Sequence, residues 1–158
     1  MENQASPQST ASQQGNLLEA SLSLLNDKMH ILARAGENEP IHTDYIPPYG
    51  DNLGYMPLQL FLISFGSCAS GSILVLLRKM QKSVLSLDVN VSGQRRTTHP
   101  TSFEEIHIDF TLKSPDVTPD DMKKVIHLSE TSVCPVWAMI KGNVKVNVSY
   151  SISRSDLK

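Results

Sequence analysis

The chain is predicted to fold as a single α+β domain, and three features of the sequence predict it. Several short segments alternate apolar and polar residues with the period of a strand. A long uncharged run from Pro57 to Leu77 has the composition of a buried helix, and Thr118-Pro119-Asp120-Asp121 carries the signals of a second helix start. At 158 residues and 40% hydrophobic content the chain can bury one sizeable core. Its formal charge of -2 is scattered, without the basic stripe that neutralises phosphates, so nucleic acid is not an expected partner.

Leu18, Ala20, Leu22 and Leu24 alternate up to the turn pair Asn26-Asp27, and Met29, Ile31 and Ala33 alternate again up to Gly36. These two segments predict a hairpin, followed by a short strand around Ile41. From Asp44 to Met56 the residues Pro47, Pro48, Gly50 and Gly54 deny regular structure, and a loop of this length often lines a site. Pro57 suits a first helical turn, where its missing N–H costs nothing, and the helix is expected to run to about Gln81.

Leu85, Leu87, Val89 and Val91 then face one way, with Ser86, Asp88, Asn90 and Ser92 opposite. After a polar turn from Arg95 to Ser102, Ile106, Ile108, Phe110 and Leu112 repeat the pattern, which is antiparallel in style. Thr118 caps the second helix, Pro119 occupies its first position, and Asp120 and Asp121 meet the helix dipole. Pro135 to Lys141 forms a short third helix ended by Gly142, and Val144, Val146, Val148, Tyr150 and Ile152 a closing strand.

The first sixteen residues are rich in Gln, Ser and Asn and carry no basic start, apolar stretch or small-residue cleavage site. They are expected to be a mobile tail ahead of one domain at 17–158, in a cytoplasmic protein whose thiols meet reductants. The uncharged run is long enough to cross a bilayer, yet Ser64, Gly66, Ser67, Ser70, Gly71 and Ser72 make its centre too polar for a lone span. The strands downstream need a helix to cover them, so a core helix and no membrane partner are expected.

Two cysteines carry the chemistry. Cys68 lies mid-helix, on a face with Ser64, Gly71 and Ser72 and with Phe61, Phe65 and Ile73 at the sides; that stripe of small residues is where the Cys134 segment could dock. Cys134 precedes Pro135, which discourages helical backbone there and places the sulfur at the cap of the short helix, near free N–H groups expected to lower its pKa. The effect amounts to less than about one unit, so a cation is needed as well, with Arg34, Arg95 and Arg96 as candidates. If folding joins the two thiols, they provide a nucleophile and a resolving partner for peroxide chemistry; otherwise they are packed core thiols or a static cross-link.

His30, His42, His99, His107 and His127 show no ligand spacing with one another or with the cysteines, so neither a metal nor another cofactor is expected. Trp137 is read as core or pocket wall. Tyr45, Tyr49, Tyr55 and Met56 could form an apolar mouth or pin the loop, and Asp44 and Asp51 are turn formers.

The segment Pro57-Leu58-Gln59-Leu60-Phe61-Leu62-Ile63-Ser64-Phe65-Gly66-Ser67-Cys68 resembles the first cysteine helix of the OsmC/Ohr family, the osmotically induced and organic hydroperoxide resistance proteins. Cys134-Pro135-Val136, followed by Gly142 and the alternating terminal strand, is similar to that family's second signature, and the similarity extends from about Leu18 to Ile152. It implies an OsmC-like fold with antiparallel sheets wrapped around two central helices in an intertwined homodimer. It also implies a thiol peroxidase in which Cys68 attacks a hydroperoxide and Cys134 resolves the sulfenic acid as a disulfide, later reduced by a dithiol. Members that reduce organic hydroperoxides usually carry a Glu where this chain has Gln59, paired with an Arg beside the reactive thiol. Arg34 does not sit in the matching motif, so the general OsmC-like branch is the better match. An apolar-ligand-binding dimer and a redox sensor without turnover remain the alternatives.

Overall fold

The computed structural model describes residues 17–154; the tail expected at 1–16 lies outside them. The chain divides into two compact units, one ending at Pro57 and one beginning at Leu58.

The first unit is a three-stranded antiparallel sheet of β1 (Ala20–Leu24), β2 (Ile31–Ala35) and β3 (Ile41–Thr43), in that order. The hairpin is closed by Leu25 N–H donating to the His30 carbonyl at 2.8 Å, while the Asn26 side chain accepts from the N–H groups of Lys28 and His30. Asn26 thus organises its own turn, as Asn does when its side chain competes for backbone donors. Leu22 lies opposite Ala33, and Ala33 opposite Ile41, so one face of the sheet is apolar; Leu22, Leu24 and Ile41 are nonetheless exposed.

The loop after β3 returns to it, with Tyr55 N–H donating to the His42 carbonyl and Asp44 N–H to the Tyr55 carbonyl. Asp44 is more than a turn former: its buried carboxylate accepts N–H groups from Tyr45 (2.8 Å), Asp51 (3.0 Å) and Leu53 (3.1 Å). Burial would raise its pKa, but these donors, with His30, hold it below the usual carboxylate value. The side chains of Tyr45, Tyr49 and Tyr55 are exposed on this scaffold.

The second unit is built on α1 (Pro57–Lys79), which covers a sheet of β4 (Ser86–Arg95), β5 (Phe103–Lys113) and β6 (Lys145–Ser153). Ile106, Ile108, Phe110 and Leu112 of β5 are fully buried, as are Phe65, Ala69, Ile73 and Leu77 of α1. At about 1.5–3 kcal/mol for each large apolar side chain removed from water, this layer dominates the unit's stability. By length and composition α1 could cross a membrane, but its inner face is part of this core.

β4 and β5 pair antiparallel, as their alternation predicts. β6 departs from the antiparallel expectation: it runs parallel to β5, from Glu105 opposite Lys145 to Lys113 opposite Ser153. Two helices intervene, α2 (Pro119–Leu128) and α3 (Pro135–Ile140), and they carry the chain back to the end of the sheet where β5 began. Such a crossover makes a parallel pair, and side-chain alternation does not encode strand direction.

α2 opens with the expected Thr118 cap, which the structure completes as a capping box, the Thr118 hydroxyl accepting from Asp121 N–H and the Asp121 carboxylate from Thr118 N–H. Asp121 also meets Lys82 at 2.9 Å, and Lys82 donates to the Asp116 carbonyl, tying the end of α1 to the start of α2. The helical period breaks between α2 and α3 in a π turn, Ser129–Val133, where Cys134 N–H reaches the Ser129 carbonyl at 3.0 Å. Gly142, at φ +83°, takes the left-handed conformation that releases the chain from α3 toward β6.

Candidate functional site

Cys134 has extended backbone (φ -83°, ψ 109°) and forms the N-cap of α3, the conformation that Pro135 demands of its predecessor. Its sulfur accepts the N–H of Trp137 at 3.4 Å. The same geometry carries Cys134 Sγ to within 2.8 Å of Cys68 Sγ on α1, across 66 residues of chain, and the thiol of Cys134 donates to the sulfur of Cys68. Both cysteines are free thiols. A disulfide needs about 2.05 Å between sulfurs, so sub-ångström movement would allow the bond.

The Cys134 segment reaches α1 at Cys68, on the face of the small-residue stripe, and an aromatic pair accompanies the contact. Phe65, one turn before Cys68, meets Trp137, one turn after Cys134, edge-to-face with ring centroids 5.3 Å apart. Both rings are buried, as is Ser72 of the stripe, whereas Ser64 and Gly71 are exposed. Aromatic residues three positions from each cysteine were the available sequence signal, since that spacing shares a helical face.

The expectation that the cap lowers the pKa of Cys134 is corrected. Burial pushes this thiol up, and donation to Cys68 adds to the effect; the N–H groups of Trp137 and Val136 pull the other way without overcoming it. Cys134 is 2% exposed, so desolvation of a thiolate outweighs two partial dipoles, whereas Cys68 is half-buried and reachable. Cys134 is thus the enclosed thiol of the pair and Cys68 the accessible one.

Gln59 is exposed in the first turn of α1. Arg34 lies in the first unit, exposed on β2 opposite Ser21. Arg95 binds the Thr101 carbonyl and hydroxyl across the β4–β5 turn, and Arg96 N–H closes that turn on Ser102. Arg95 ends β4 and Arg96 follows it into the turn.

His30 Nε2 and His42 Nδ1 meet at 2.8 Å, a pairing that sequence spacing did not reveal because it crosses from the end of the hairpin turn to β3. Among the described residues no group of three or more His, Cys, Asp and Glu side chains could hold a metal ion.

An α+β chain with two free thiols in contact between a core helix and the cap of a short one defines a class of two-cysteine protein. The chain belongs to the OsmC-like protein family, whose model matches residues 50–149. Protein YhfA of Escherichia coli K12 is 24% identical over 96 residues, 61% of this chain and 72% of that protein. Among solved structures, a hypothetical protein from Aquifex aeolicus superposes with a TM-score of 0.77 at 25% identity, over 89% of this chain and 98% of that one. An OsmC-like protein from Mycoplasma pneumoniae gives 0.73 at 18% identity over 90% and 99%. An organic hydroperoxide resistance protein from Elizabethkingia anophelis gives 0.68 at 13% over 87% and 96%.

Proposed function

We propose that the chain is a thiol-dependent peroxidase of oxidative-stress defence, with Cys68 as nucleophile and Cys134 as resolving thiol. The observation that carries the reading is the 2.8 Å approach of the two sulfurs, with Cys68 the more exposed of the pair. The thiolate of Cys68 attacks the terminal peroxide oxygen, the O–O bond breaks, and the alkoxide leaves and takes a proton. Cys68 becomes a sulfenic acid. Cys134 then attacks that sulfur, its proton leaves with the hydroxyl as water, and a disulfide forms. A dithiol in the reducing cytoplasm restores both thiols. Fold likeness to an organic hydroperoxide resistance protein is consistent with this reaction class.

The exposed apolar residues Leu22, Leu24 and Ile41 of the first sheet and Ile63 and Val75 of α1 support a homodimer, because surfaces of this kind need cover. We treat 17–158 as one functional domain, in line with a structural likeness that spans 89% of the chain.

The test is peroxide consumption driven by a dithiol. Cys68→Ser is expected to abolish it, and unchanged turnover would overturn the proposal. A second reading, an apolar-ligand binder, is favoured by the groove beside Ile41, Leu53 and Tyr55 in the first unit. Copurifying ligand together with ordinary alkylation rates at both thiols would decide for it.

A further inference from the structure

We propose that the oxidised pair is opened from one side only: the reductant attacks the sulfur of Cys68, and Cys134 is the leaving group. This rests on the two-cysteine reading above and adds the point at which the reducing partner engages. Thiol–disulfide exchange requires the incoming sulfur to approach along the axis of the bond it breaks, so the attacked sulfur needs an open side. Cys134 has none. It is 2% exposed, enclosed with Trp137, itself 3% exposed, under the contact of Trp137 with Phe65. Cys68 is half-buried on α1 and retains exposed surface.

Burial disfavours the Cys134 thiolate, so accessibility of Cys68 rather than leaving-group acidity directs the attack, and one donor partly offsets the cost. Trp137 N–H already points at Cys134 Sγ at 3.4 Å, so the electron pair that Cys134 keeps on leaving as a thiolate meets a hydrogen-bond donor. The reductant's thiolate bonds to Cys68 Sγ as the Cys68–Cys134 bond breaks, and Cys134 departs as a thiolate that takes a proton. The second thiol of the reductant, deprotonated, then attacks its own partner sulfur in the mixed disulfide. Cys68 leaves as a thiolate, and the reductant, now a cyclic disulfide, has given up two electrons. Because Cys134 stays within bonding reach of Cys68, it can reverse the first step.

The experiment oxidises the full-length protein with diamide, so that its outcome does not depend on peroxide turnover. Glutathione is added, the mixture is quenched with acid, and the unfolded protein is capped with N-ethylmaleimide and mapped by peptide mass spectrometry. Glutathione on Cys68 with maleimide on Cys134 is expected; glutathione on Cys134, or an even mixture, overturns the proposal. Independently, Ellman's reagent should react with folded Cys134→Ser at least roughly tenfold faster than with folded Cys68→Ser. Equal rates would overturn it even if no adduct accumulates in the first arm.

Discussion

Phe65 and Trp137 meet at an interplanar angle of 85°, one turn from Cys68 on α1 and one turn from Cys134 on α3. Each ring shares a helical face with a cysteine, so one aromatic contact fixes the spacing of two sulfurs that the chain separates widely.

Trp137→Ala is expected to destabilise the protein by about 3–5 kcal/mol, the usual cost of emptying a large buried aromatic site. Trp137→Phe should recover much of that. Diamide-driven formation of the Cys68–Cys134 bond should slow in the alanine variant more than in the phenylalanine variant, read by gel shift beside urea unfolding. Equal bond formation in both would detach the ring pair from thiol placement.

Asp121 has its pKa lowered to about 2 by the Lys82 ammonium and by the backbone and hydroxyl of Thr118. A depressed carboxyl stabilises the fold above its unfolded value near 3.8, and the contribution is lost as pH falls toward the folded value. Asp121→Asn should cost about 1–2 kcal/mol at neutral pH, after allowance for solvent screening. Its unfolding curve should converge with the parent's between about pH 4 and pH 2. A difference that persists unchanged at pH 2 would remove the ion pair as its cause.

Asp44 holds three N–H groups with two oxygens: Oδ1 takes Tyr45, and Oδ2 takes Asp51 and Leu53. Asp44→Asn keeps one acceptor and Asp44→Ala none, so nicking by chymotrypsin at the exposed Tyr45, Tyr49 and Tyr55 should rise in that order. The alanine variant should be cut roughly tenfold faster. Gly50→Ala should act alike, because its Cβ would lie 2.1 Å from Asp44 Oδ1 and 2.3 Å from the Tyr45 carbonyl. Resistance equal to the parent's would show that the loop does not depend on this carboxylate.

Ser129 Oγ is buried in the π turn and finds no hydrogen-bond partner among the described residues. Deleting an unsatisfied hydroxyl removes its desolvation cost, so Ser129→Ala is expected to stabilise by about 1 kcal/mol. The melting temperature reads this directly, and a fall would mean that the hydroxyl is satisfied in solution.

Much of the fold was legible in the residues. The alternation at Leu87, Val89 and Val91 and at Ile106, Ile108 and Phe110 marked two strands, and Thr118-Pro119-Asp120-Asp121 marked a helix start with its Thr118 cap, because these signals act over a few neighbours. The π turn was not legible: it is a break of one residue in the helical period, and Ser129 lies on the period of α2 until the backbone shifts.

What the sequence determined by itself is therefore local: the strands, the helix starts, and the extended backbone of Cys134 that Pro135 imposes. Only the tertiary structure decided that β6 runs parallel to β5, that burial makes Cys134 the less acidic cap rather than the more acidic one, and that two sulfurs 66 residues apart stand 2.8 Å from each other. The physical reason is the range of the forces. Backbone preference and periodicity are set within a turn of chain, whereas desolvation and sulfur contact depend on which distant surfaces pack together, here α3 onto α1 through Phe65 and Trp137.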